Sequence, residues 1–105
     1  MASDKIPNHY ESLKSRFPKV MDAVENLGEA ARHETPLDAK TSHLVQLAAA
    51  AVSQSEGGVH SHTRRALKAG ASTDEIYGTL LLLISPVGFP RVAAAISWAD
   101  DIIKK

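Results

Sequence analysis

Apolar positions in this chain come in blocks, and Pro, Gly and short polar runs separate the blocks. Within most blocks they recur every three or four residues, the period of a helix. A short first helix is predicted over Pro7 to Ser15. Pro18 suits the first turn of a second helix. Its apolar stripe is Val20, Met21, Val24 and Leu27, and the polar run RHETP ends it. Asp38 can cap a third helix, Ala39 to Ser53. From Leu47 to Val52 that helix is nearly all apolar. A helix apolar all round is expected to be buried on every side. In so small a protein, part of that burial is expected from another subunit.

The run SEGG breaks the apolar block, and a fourth helix is predicted over Gly58 to Ala69, with Gly70 just past its end. STDE then reads as a capping box, Ser72 as cap and Glu75 reaching back. A fifth helix, Thr73 to Ser85, holds the run LLLLI. Pro86 and Gly88 end it, and Pro90 opens a last helix. There Val92, Ala95, Ile96, Ala99 and Ile102 keep helical spacing. No stretch alternates long enough for a useful strand. The pattern predicts an all-α protein of about six helices.

Composition narrows the function classes. The chain has 105 residues, 44% hydrophobic and 23% charged, which suggests one domain. Twelve basic residues balance twelve acidic ones. No net field recruits nucleic acid or an anionic membrane, so neither is expected as a partner. No apolar run reaches the length of a bilayer span. The start MASDKIPNHY lacks a signal pattern, so a cytoplasmic location is expected. There is no cysteine, which excludes thiol catalysis, disulfides and thiolate metal sites.

Five histidines remain: His9, His33, His43, His60 and His62. His9 and His33 lie in polar surroundings and read as surface residues. In the fourth helix Ser55, Gly58, His62, Ala66 and Ala69 share a face that is small, mostly apolar and suited to packing. His62 is the large polar group on it. His60 lies about 200° round the helix from His62. The HSH pair therefore cannot chelate one ion, and neither a metal nor a cofactor is expected. If the third and fourth helices pack side by side, His43 and His62 meet, and neutral imidazoles near pH 7 serve as acid or base. The plainer reading is a buried histidine donating to a backbone carbonyl. Gly57 and Gly58 open a helix whose first N–H groups can hold an anion, with Arg64 and Arg65 adding charge. Alternatively these glycines only turn the chain or let helices pack closely.

The stretch LDAKTSHLVQLAAAAVSQSEGGVHSHTRRALKAGASTDEIYGTLLLLISPVGFPRVAAAISWA, from about Leu37 to Ala99, resembles the carboxymuconolactone decarboxylase family, which includes the alkylhydroperoxidase D-like proteins. HTRRALKAGASTDEI and GFPRVAAA are its most specific parts. The resemblance implies an all-α fold and a homo-oligomer, often a trimer or hexamer. It implies one of two activities. One is decarboxylation of a carboxylated muconolactone. The other is thiol-dependent peroxide reduction by a Cys-x-x-Cys pair, a histidine four residues later and a glutamate on the preceding helix. By position the histidine is His62, the cysteines fall on Ser55 and Gly58, and the glutamate falls on His43. Without a thiolate, peroxidase activity is not expected. The decarboxylase branch carries acidic and histidine side chains just before the histidine, where this chain has glycine.

Two expectations follow. In the first, the protein is a lyase acting on a small carboxylate or lactone. His62 and His43 are then its catalytic pair, and Ser55, Gly57, Gly58 and Arg65 line the substrate. In the second, it is a binding or scaffold homologue that keeps the fold without the chemistry.

Overall fold

The computed structural model describes residues 8–105, with seven helical segments and no strand among them. The all-α expectation holds. The segments are α1 (Asn8–Arg16), α2 (Pro18–Glu34), α3 (Ala39–Val52), α4 (Glu56–Lys68), α5 (Thr73–Leu81), α6 (Ile84–Val87) and α7 (Phe89–Ile103). The expected start of the first helix at Pro7 lies outside the described residues. No helix among them is long and apolar enough to cross a membrane. The chain divides into two compact units, one ending at Asp38 and one spanning Ala39–Lys105.

In the first unit α1 and α2 pack together. Glu25 of α2 receives the Tyr10 hydroxyl and pairs with Lys14 at 3.3 Å. Pro18 stands in the first turn of α2, where a missing N–H costs nothing. The expected stripe on α2 is not a core face: Val20, Val24 and Leu27 are all more than half exposed.

The second unit holds the core. Leu47, Ala51, Val59, Ala66, Ile76, Leu80, Val92, Ala95 and Ala99 are essentially sealed from solvent. α4 packs on α3 and α7, and α5 leans on α7 and α3. Across the α5–α7 contact the Tyr77 hydroxyl donates to Asp100, a bond that holds the phenol pKa above its ordinary value. Many core residues are alanine, so neighbouring backbones approach closely.

Two helix ends close in the same way. After α4 the Ala71 N–H reaches the Ala66 carbonyl, and the Gly70 N–H reaches that of Leu67. After α3 the Ser55 N–H reaches Ala50 and the Gln54 N–H reaches Ala51. Both are Schellman closures. At the first the left-handed residue is Gly70, as expected; at the second it is Gln54, with φ +57°. A side chain in that conformation costs on the order of 1 kcal/mol. Here the side chain offsets it. Gln54 Nε2 donates to the carbonyls of Ala51 at 2.8 Å and Arg91 at 3.2 Å. Arg91 in turn donates to Val52 at 3.0 Å, so the open carbonyls of α3 are satisfied from α7.

One expectation needs correction. The predicted helix from Thr73 to Ser85 stops at Leu81, turns at Leu82 and Leu83, and resumes as the single turn α6. Pro86 has no N–H to bond the carbonyl of residue 82, and its ring would strike that carbonyl in a continuous helix. In the first turn of α6 it meets neither problem. Within the single chain α3 is only partly buried, and the expectation left the rest to another subunit. Leu47 and Ala51 are sealed, but Val45 is 54% and Val52 41% exposed. Gly88 then joins α6 to α7 at φ +107°, ψ 148°, a conformation closed to side chains.

Candidate acid-base site

The α3–α4 hairpin positions the candidate site. Ser55 is the N-cap of α4: its Oγ accepts from the Gly58 N–H at 3.0 Å. Gly58 sits where the helices touch. A Cβ there would lie 2.8 Å from Ser55 Oγ and 2.9 Å from Ala50 Cβ, closer than real atoms come. The absence of a side chain is what lets α4 close on α3. One turn beyond Gly58 is His62, and two turns before Ala50 is His43.

That closure brings the two histidines together. His43 Nδ1 and His62 Nδ1 are 3.3 Å apart, with ring centres at 5.6 Å and planes tilted by 30°. Both rings are half-buried, neither sealed nor fully exposed. Their meeting agrees with the conditional expectation from the sequence. A contact between two Nδ1 atoms constrains the protons. In a neutral pair one Nδ1 carries the hydrogen and the other accepts it. The donor ring then has an unprotonated Nε2, and the acceptor ring carries its hydrogen on Nε2. One ring then offers a lone pair at Nε2 and the other an N–H donor. Beside them the Gln46 amide is held by Ser42, donating to its carbonyl at 3.2 Å and to its Oγ at 3.0 Å.

The other expected site residues fare differently. The Gly58 N–H is taken up by Ser55 Oγ and is not open to an anion, while the Ser55 hydroxyl keeps its own hydrogen to donate. Gly57 is exposed, with nothing within 4 Å of where its Cβ would be. Glu56 places a carboxylate in the same first turn, which disfavours an anion there. Close packing of α3 and α4 accounts for Gly58 without a ligand. Arg65 is exposed and lies three residues beyond His62, about 60° round the helix. His9 and His33 are exposed, as expected. His60, set aside in the sequence, pairs with Asp101 of α7 at 3.0 Å.

The sequence model of the carboxymuconolactone decarboxylase family matches residues 18–101. The chain belongs to this family. The match begins well before Leu37, where the sequence resemblance was first visible, and takes in all of α2. An uncharacterized protein of Methanocaldococcus jannaschii is 30% identical over 86 residues, covering 82% of this chain and 80% of that one. An uncharacterized protein of Haemophilus influenzae is 35% identical over 61 residues, 58% of this chain and 54% of its own. The crystal structure of apo-lpg0406, a carboxymuconolactone decarboxylase family protein from Legionella pneumophila, superposes with a TM-score of 0.80. It is 24% identical and covers 91% of this chain and 86% of that one, so it speaks for the fold.

Proposed function

We propose that this protein is a lyase acting on a small carboxylate or lactone, with the His43–His62 pair as its acid-base centre. The observation that carries the reading is the 3.3 Å contact between the two Nδ1 atoms. Loss of carbon dioxide from a carboxylated lactone breaks the bond between carbon and carboxylate. Its electron pair enters the adjacent carbonyl system as an enolate, and a proton must then reach carbon. A protonated His62 both hydrogen-bonds the developing enolate and delivers that proton. His43 holds the His62 ring in place and relays the replacement proton from solvent. Arg65 is assigned the substrate carboxylate. The proposal places the protein in the cytoplasm as a homo-oligomer, a trimer or hexamer. Exposed Val45, Val52, Leu82 and Phe89 of the second unit are the apolar surface for association.

The test offers carboxylated lactones and β-keto acids to purified protein and follows release of carbon dioxide. His62→Asn should lower the rate by about 10²- to 10⁴-fold, the usual contribution of a positioned acid. Turnover unchanged in that variant removes His62 from the mechanism. A second reading, a scaffold without chemistry, is supported by Ser55 and Gly58 being taken up in capping and packing. It expects no turnover in wild type and only a stability change in His62→Asn.

A further inference from the structure

On the other side of α4 a second cluster forms, about 200° from His62. Glu56 stands in the first turn, and His60 follows four residues later. That spacing stacks two donors on one helix face. α7 brings a third: Asp101 Oδ2 is 3.0 Å from His60 Nε2. One ligand atom from each of the three residues lies within 4.8 Å of the others. We propose that Glu56, His60 and Asp101 bind one divalent cation of the zinc class.

Three arguments support the assignment. The first is size. Around an ion with bonds of about 2.0–2.2 Å, neighbouring donors stand roughly 3.0–3.5 Å apart and opposite donors about 4.2 Å. The His60–Asp101 edge already has that length. The exposed Glu56 carboxylate lies within 4.8 Å, so it closes on the ion by a side-chain adjustment of at most about 1–2 Å. The second is charge. His60 Nε2 carries at most one hydrogen and can donate it to only one carboxylate. The Glu56 carboxylate, within 4.8 Å of the other two donors, adds a second negative charge beside that pair. A divalent cation neutralises both carboxylates and uses the nitrogen lone pair. The third is donor type. The imidazole turns the site away from magnesium and calcium, which prefer all-oxygen shells, and toward zinc, cobalt or nickel. Glu56 and Asp101 are exposed, so water completes the coordination. Such a site is weaker than a closed four-ligand one. It ties the start of α4 to the end of α7.

The test uses the full chain stripped with EDTA and dialysed, then titrated with zinc chloride. Binding is read by competition with a chromophoric chelator and by thermal unfolding. Wild type should take up one zinc per chain, and at about tenfold excess over Kd its Tm should rise by roughly 5 °C. Glu56→Gln removes a ligand and leaves the His60–Asp101 pair intact, so a simple ion pair would not notice it. Affinity should fall at least about tenfold in Glu56→Gln and in Asp101→Asn. His62→Asn should retain it. Far-UV circular dichroism checks that each variant folds. No zinc uptake by wild type, equal uptake by Glu56→Gln, or uptake lost only in His62→Asn each overturns the site.

Discussion

Two adjacent glycines should respond to alanine in opposite directions. At Gly57 a new Cβ meets nothing within 4 Å. Alanine there lowers the entropy of the unfolded chain and suits a helix, a gain of up to about 1 kcal/mol. At Gly58 the same methyl arrives 2.9 Å from Ala50 Cβ and 2.8 Å from Ser55 Oγ. Carbon atoms rest about 3.5–4.0 Å apart, so α3 must retreat from α4 by roughly 0.6–1.1 Å. Overpacking of this kind costs about 1–3 kcal/mol. Displacing Ser55 from its cap adds about 1 kcal/mol. The helix-propensity gain offsets part of this, and a net loss of about 1–3 kcal/mol remains. Urea unfolding at constant m-value measures both variants. The retreat also reaches the site, because His43 and His62 ride on the same two helices. A gap of 3.3 Å widened by half an ångström or more no longer holds a hydrogen bond. Gly58→Ala should therefore lose activity along with stability, whereas Gly57→Ala should keep both. A Gly58→Ala protein as stable as Gly57→Ala would refute the close-packing argument.

Two further outcomes are expected. The Ser72 backbone N–H, then Lys40, hold the Glu75 carboxyl below its ordinary value of 4.5. A lowered folded pKa stabilises above the unfolded value and loses that effect as pH falls through the folded one. The stability difference between wild type and Glu75→Gln should hold from pH 7 to about 5 and shrink below the ordinary value; a difference constant down to pH 3 would contradict this. Light scattering coupled to size exclusion at micromolar concentration should give a trimer or hexamer, and a monomer mass would contradict the proposed association.

Much of the architecture was legible because local chemistry wrote it. Ser72 and Glu75 announce a helix start, Gly70 a helix end, and Val92, Ala95 and Ala99 a buried face, all without reference to distant residues. The meeting of His43 and His62 was legible only as a condition. It depended on α3 and α4 lying side by side, which small residues at 50 and 58 allow but do not require. Other features follow from tertiary structure alone. Gln54 takes the left-handed position because Arg91 and the end of α3 meet it there. The run LLLLI hid the break before Pro86, since apolar periodicity carries no sign of a carbonyl clash four residues on. In the Glu56 cluster, the i, i+4 spacing of Glu56 and His60 is visible in the sequence. Asp101 joins them only through the α4–α7 contact.

The alanine-rich core has a consequence for which changes the chain can accept over time. A core built of leucine is open to injury in both directions, by truncation and by enlargement. Ala66, Ala95 and Ala99 have almost nothing to lose, since only glycine is smaller, and they are already sealed. Their tolerance is one-sided. Glycine or serine there costs helix propensity or a hydroxyl, while valine or leucine must push whole helices apart. A saturation library scored for folding should draw a sharp upper size limit at these positions, with no matching lower one. Leu47, Ile76 and Leu80 should show limits on both sides.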